Sequence, residues 1–346
     1  YCSSPELSFE FVDNLLVTSI LPMSGLVSGG TVILVKGENF LPNSMLLCKF
    51  GEAEVEGRLI SDTQVECISP NTSIADASRV VALSLSTNGV DFVSGPDFIF
   101  YEEISVSSLT PSMGPIEGGT LARIHGSNFI YSEFLRCKFG SNVAVASFIS
   151  VEEIACIVPP REQAGNVSLS LSNNGVDFFP SSLTFQYYES VKVHSLWPKH
   201  GKASGGTSVT IAGARFENTE SLSCMFGIEI VSGSFVSTEE ITCVAPALTS
   251  SIAYFAAVEI SLNGYDFTTD GVLYEYVDDA ALLSVSPVSG PTSGGSAVTL
   301  TGTNFVGSDT PLCRFGDVTV AGLLLSLSEI ECVTPPMSNR GISSST

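Results

Sequence analysis

Positive charge is scarce in this chain. Across 346 residues, 14 Lys and Arg face 36 Asp and Glu, a formal net charge of −22. That balance repels a phosphate backbone or an anionic bilayer, because both are bound by clustered Arg and Lys. No basic patch interrupts it, so nucleic acid is excluded as a partner. Runs of 18 or more apolar residues are also missing, and no segment reads as a membrane-inserting helix. No leader peptide opens the chain, the expectation for a mature product or an internal piece. C-x-x-C is absent and only three histidines occur, which disfavours a zinc site. Nor is there a G-x-S-x-G, H-E-x-x-H, P-loop or G-x-G-x-x-G signature, and no enzyme is expected. Even charge is thin at 14% of residues, against 44% hydrophobic, so Ser, Thr, Asn and Gly must keep the surface wet.

What the chain does have is a repeat. Four apolar stretches end in proline, at Pro22, Pro111, Pro198 and Pro287, spaced 89, 87 and 89 residues apart. Eight residues after each comes the second glycine of a Gly-Gly pair, and seven further on another glycine opens GENF, GSNF, GARF or GTNF. A C-x-F-G segment, a second cysteine with a proline three residues later, and the turn TNGVDF, NNGVDF or LNGYDF complete the unit. A period near 88 residues marks a tandem array. The boundaries read as residues 1–14, the tail of a preceding repeat, then 15–103, 104–190, 191–279 and 280–346, the last one truncated. The chain is thus expected to be a segment of a longer array.

Within a unit, strand signals dominate. Ile33 with Val35, Ala122 with Ile124, Val209 with Ile211 and Val298 with Leu300 alternate with polar or outward positions. Later segments alternate likewise and run into Asn-Gly, predicting a type I′ hairpin, with Asp91, Asp177 and Asp266 bonding backbone in the turn. No amphipathic helix appears. Short strands, frequent turns and about 88 residues per unit predict an antiparallel β-sandwich.

Cysteine follows the period. Cys48 and Cys67, Cys137 and Cys156, Cys224 and Cys243, and Cys313 and Cys332 each stand 19 positions apart. The second member shares parity with Val65, Ile154, Ile241 or Ile330 and should point inward. Disulfides within each pair would close loops of about 20 residues, worth roughly 3 kcal/mol each; eight buried free thiols are the rival reading. The disulfides call for an oxidising compartment. Sequons at Asn71 and Asn166 agree, both expected in the loop after the second cysteine with N-linked glycans in solvent. Cys2 is left unpaired or inter-chain.

The combined motif resembles the IPT/TIG family of immunoglobulin-like sandwiches. It is carried by Pro22, Gly25, Gly29 and Gly30, by Gly37, Asn39 and Phe40, and by C-x-F-G, C-x-x-P and N-G-x-D-F with their counterparts. Arg215 replaces the Asn in the third unit. The resemblance implies an all-β chain of tandem sandwiches used as extracellular stalks or interaction modules. Because the junctions lack a Gly/Ser- or Pro-rich linker, an extended, semi-rigid rod is expected.

Three functions follow as expectations. The first is a non-enzymatic, glycosylated, extracellular or cell-surface structural protein, part of a fibre, coat or appendage, with copies of itself or other protein chains as partners. Exposed Val32 and Leu34 would be contact surface. The alternative is the stalk of a plexin-like receptor or adhesin ectodomain that positions a ligand-binding head; an accessory to a carbohydrate-acting enzyme comes third. No cofactor is expected, and no metal beyond a weak Ca²⁺ reading of the junction carboxylates Glu102, Glu103, Asp278 and Asp279, with Asp13 and Glu189. His125, His194 and His200 recur in no other unit and read as ordinary histidines, and Trp197 is expected to pack where Leu21 and Thr110 sit.

Overall fold

Period-two alternation broken by glycine-rich turns favours pleated strands over helix, and the elements described in the computed structural model are strands. It describes residues 12–42, 45–72, 80–249, 254–305 and 311–337, and no helix occurs among them. In the first complete repeat the strands are β1 (Leu16–Leu21), β2 (Ser24–Leu26), β3 (Val32–Glu38), β4 (Leu47–Phe50), β5 (Ala53–Ser61), β6 (Gln64–Ile68), β7 (Val80–Ser86) and β8 (Val93–Tyr101). They hydrogen-bond in the order β1-β3-β6-β5-β4-β7-β8-β2. The second and third repeats reproduce this order, and the fourth repeats its first five members. β5 serves both layers of the sandwich. Its residues Ala53 to Glu56 pair with β4, and Gly57 to Ser61 pair with β6.

The core lies between those layers. Ile33 and Val35 of β3 are fully buried, as are their counterparts Ala122, Ile124, Val209 and Ile211. Opposite them a ladder of three rings fills the space: Phe50, Phe98 and Phe100 in the first repeat, Phe139, Phe185 and Tyr187 in the second, Phe226, Tyr274 and Tyr276 in the third. Successive rings meet edge to face at 5.0–5.4 Å, the arrangement their quadrupoles favour.

Disulfides bridge the layers. Cys48 on β4 joins Cys67 on β6, and the same bond links Cys137 to Cys156, Cys224 to Cys243 and Cys313 to Cys332, with Cα atoms 6.1–6.5 Å apart. All eight are buried. The strand between each pair carries a small residue directly across from the second cysteine: Gly57, Ala146, Gly233 or Gly322. A Cβ on Gly57 would stand 3.0 Å from the Cys48 sulfur, so room for the bridge explains the missing side chain.

The Asn-Gly turns are not type I′. That turn needs positive φ at both central residues. Here Gly89, Gly175 and Gly264 are positive at 77–78°, while Asn88, Asn174 and Asn263 are not. Each Asn instead folds the chain over its own side chain. Asn174 Oδ1 accepts from the N–H groups of Val176 and Asp177, at 3.0 and 2.9 Å, an Asx turn that replaces the backbone pairing of a hairpin. The following Asp bonds that Asn: Asn88, Asn174 and Asn263 donate through Nδ2 to Asp91, Asp177 and Asp266 at 2.7–2.8 Å.

Trp197 takes the expected place of Leu21 and Thr110 but packs little there. It is 74% exposed, because its position at the end of the first strand of its repeat points outward, as Leu21 and Thr110 do in theirs.

Candidate interaction site at the first repeat junction

Between β8 of the first complete repeat and the first strand of the second, Ser105–Thr110, only Glu102, Glu103 and Ile104 intervene. So short a joint brings the Asn-Gly turn of the second repeat against the first. Thr31 donates its hydroxyl to Asp177 Oδ2 at 2.7 Å, and Asn174 Nδ2 donates to the carbonyl of Ser24 at 2.9 Å. Ser24, Thr31 and Asn174 are buried and Asp177 is half-buried, so the Asn174–Ser24 bond is made away from water, where breaking it leaves an unpaired group costing about 1–3 kcal/mol. Tyr101 ends β8 beside this latch. Its hydroxyl is buried with no hydrogen-bond partner among the described residues, and the phenol is held well above its usual acidity range, first by burial and then by the charge of Asp177. On the side of the second repeat the latch is formed by the N-G-x-D-F motif, which the sequence marks as a turn and as part of the family resemblance but not as a contact.

Next to it opens a cleft of about 440 Å³. Tyr101 and Glu102 come from the first repeat; Phe129, Tyr131, Phe148 and Glu152 come from the second. Its wall is pinned. Asn128 lies in the left-handed region at φ 66° and donates through Nδ2 to the Glu103 carbonyl at 2.8 Å. Buried Asn173 donates to the Asn128 carbonyl at 2.9 Å and accepts from Ile130 N–H at 3.2 Å. Tyr131 follows immediately, 84% exposed, its ring edge to face with Phe148 at 5.9 Å. Nothing in the sequence reading singled out Tyr131 or Phe148, which lie in different parts of the repeat.

The sequence-predicted residues are scattered by comparison. Asn71 is exposed after β6, in the expected loop. Asn166 is exposed too, but lies within the strand Gly165–Ser172, paired with Gln186, and not in a loop. The chain returns to pairing there because Val167, Leu169 and Leu171 alternate into the core. Cys2 falls outside the described residues. Glu102, Glu103, Asp278 and Asp279 are exposed, as are Asp13 and Glu189. Among the described residues no group of three or more His, Cys, Asp or Glu is placed to hold a metal ion. Asp279 accepts a hydrogen bond from Ser204 N–H at 3.1 Å, and its contacts with Ser204 hold its carboxyl below the usual range. His125, His194 and His200 stand on three separate strands.

Comparison with known proteins agrees with this architecture. Plexin-A4 of Danio rerio is 28% identical over 246 residues, 67% of this chain and 13% of plexin-A4. Fibrocystin-L of Homo sapiens is 24% identical over 311 residues, 87% of this chain and 7% of fibrocystin-L. The chain therefore spans a small part of these curated relatives. Among solved structures, the plexin A4 full extracellular region, domains 1 to 10, aligns over 94% of this chain and 34% of that one, at 16% identity and TM-score 0.39. The model of the family described as IPT/TIG domain matches residues 15–101, 105–187, 192–276 and 281–345. With nearly its whole length accounted for in four successive matches, the chain belongs to the IPT/TIG domain family.

Proposed function

We propose that the chain is a non-enzymatic stalk segment of an extracellular, receptor-like ectodomain, whose sandwiches hold a ligand-binding head at a set distance and angle. The observation that carries this reading is the latched joint. Thr31–Asp177 and Asn174–Ser24 tie two sandwiches that are already separated by only three residues, so the second repeat is oriented by the first. Four disulfides support passage through an oxidising secretory route. Similarity to plexins and fibrocystin-L supports a stalk over a self-assembling fibre or coat, a reading that draws no support from these relatives. Partners in this reading are other proteins, with N-linked glycans at Asn71 and Asn166 covering part of the surface.

Electron microscopy of the native protein, purified without reductant and with or without EDTA, tests the proposal. Isolated particles in which the repeats carry a distinct globular head are the expected result, unchanged by EDTA. Regular polymers would overturn it and return the argument to the fibre.

A further inference from the structure

We infer that the cleft at the first repeat junction receives an arginine side chain from an exposed segment of a protein partner. Charge complementarity comes first. The chain carries −22 overall, Glu102 and Glu152 line the cleft, and no Lys, Arg or His is among its lining residues. The second argument is aromatic. Tyr131 is 84% exposed and braced edge to face by Phe148, so a ring face stands free in water at the mouth of a concave site. A cation over such a face is attracted by the ring quadrupole. A planar guanidinium suits the combination better than an ammonium, since it stacks on a ring while its fork of N–H donors meets carboxylates. At about 440 Å³ the cleft lies within the roughly 300–1,000 Å³ range of sites that enclose a small ligand.

The repeats themselves isolate this feature. Tyr131 stands five residues after Gly126, and the same offset gives Pro42 in the first complete unit and Asn218 in the third. Asn173, which pins the cleft wall through Asn128 and Ile130, is replaced by Thr87 and Leu262. Val151, also in the lining, corresponds to Asp62 and Thr238. The fold is built in each of those units without these residues, so their presence in the second serves something besides the sandwich. Pinning by Asn173 also keeps Tyr131 in place before the ligand arrives, which lowers the ordering cost of binding. The inference does not rest on the stalk reading, and would stand if that reading fell.

The test uses the full chain with isotope-labelled Tyr and Phe rings, titrated in NMR with N-acetyl-arginine amide and, separately, with its neutral isostere N-acetyl-citrulline amide. Saturable shifts of the Tyr131 and Phe148 rings with the arginine amide, and none with the citrulline amide, are expected. Tyr131→Ala should weaken binding about two- to fivefold. Glu102→Gln combined with Glu152→Gln should weaken it and flatten its dependence on salt. All three positions are exposed, so an otherwise unchanged ring spectrum will report that the variants remain folded. Equal shifts with the citrulline amide, or binding undiminished in both variants, would overturn the inference.

Discussion

Gly126 shows how much of this fold is decided by single atoms. It opens the GSNF segment, and a Cβ there would overlap the Ser105 carbonyl and crowd the Phe129 ring at 3.0 Å. The strand after the joint must lie flat on this glycine, and Gly37, Gly213 and Gly302 have the same neighbour in their repeats. Gly126→Ala is therefore expected to destabilise the second repeat by about 1–3 kcal/mol, the cost of overpacking, read as a lower urea midpoint. Two residues later in the third repeat, Arg215 keeps φ at 64° where Asn39, Asn128 and Asn304 have 58–66°. The backbone conformation is kept through the exchange, whereas Asn39, Asn128 and Asn304 each also donate through Nδ2 to a carbonyl just before their repeat's first strand. Tyrosine makes a second prediction at this scale. Burial pushes Tyr187 and Tyr276 up to about 12 from the usual 10, so the folded chain holds protons that the unfolded chain has released. Stability is then unaffected below pH 10 and falls as pH rises from about 10 towards 12. Absorbance at 295 nm should show late phenol ionisation accompanied by loss of β-sheet signal, and Tyr187→Phe should reduce the alkaline slope.

At the scale of the element, the bridge between β4 and β6 and its copies hold two layers whose strands are short. Replacing Cys137 and Cys156 together by Ala reopens a loop of about 20 residues in the unfolded chain and should cost roughly 3 kcal/mol, measured as a lower denaturant midpoint of that repeat. An unchanged midpoint would show that packing alone sets its stability. These bridges, the repeat period and the inward positions of β3 were legible in the sequence, because covalent spacing and period two are local signals. What was not legible is instructive. Asn-Gly predicts a type I′ hairpin from backbone preference alone, yet the Asn side chain captured two N–H groups and made a different turn. Asn166 was placed in a loop by its distance from the second cysteine, whereas the alternation of Val167, Leu169 and Leu171 had already begun a strand. Trp197 does stand where Leu21 and Thr110 stand in their repeats, but that strand-end position faces solvent, so the indole packs little. The cleft escaped notice because Tyr131 and Phe148 lie 17 residues apart, and Glu102 belongs to the preceding repeat. Comparing units position by position would have flagged Tyr131.

At the scale of the molecule, four buried disulfides and the hydrogen-bonded first junction are the features that support the proposed stalk. That account depends on the latch at the first junction being a fixed joint. It is tested most directly by double electron–electron resonance on the full chain, in a Cys2→Ser background, with spin labels at exposed Glu56 and Val145 on equivalent strands of the first two complete repeats. The account predicts one narrow distance distribution, broadened by Asp177→Ala. A broad distribution in the chain with its latch intact would contradict it.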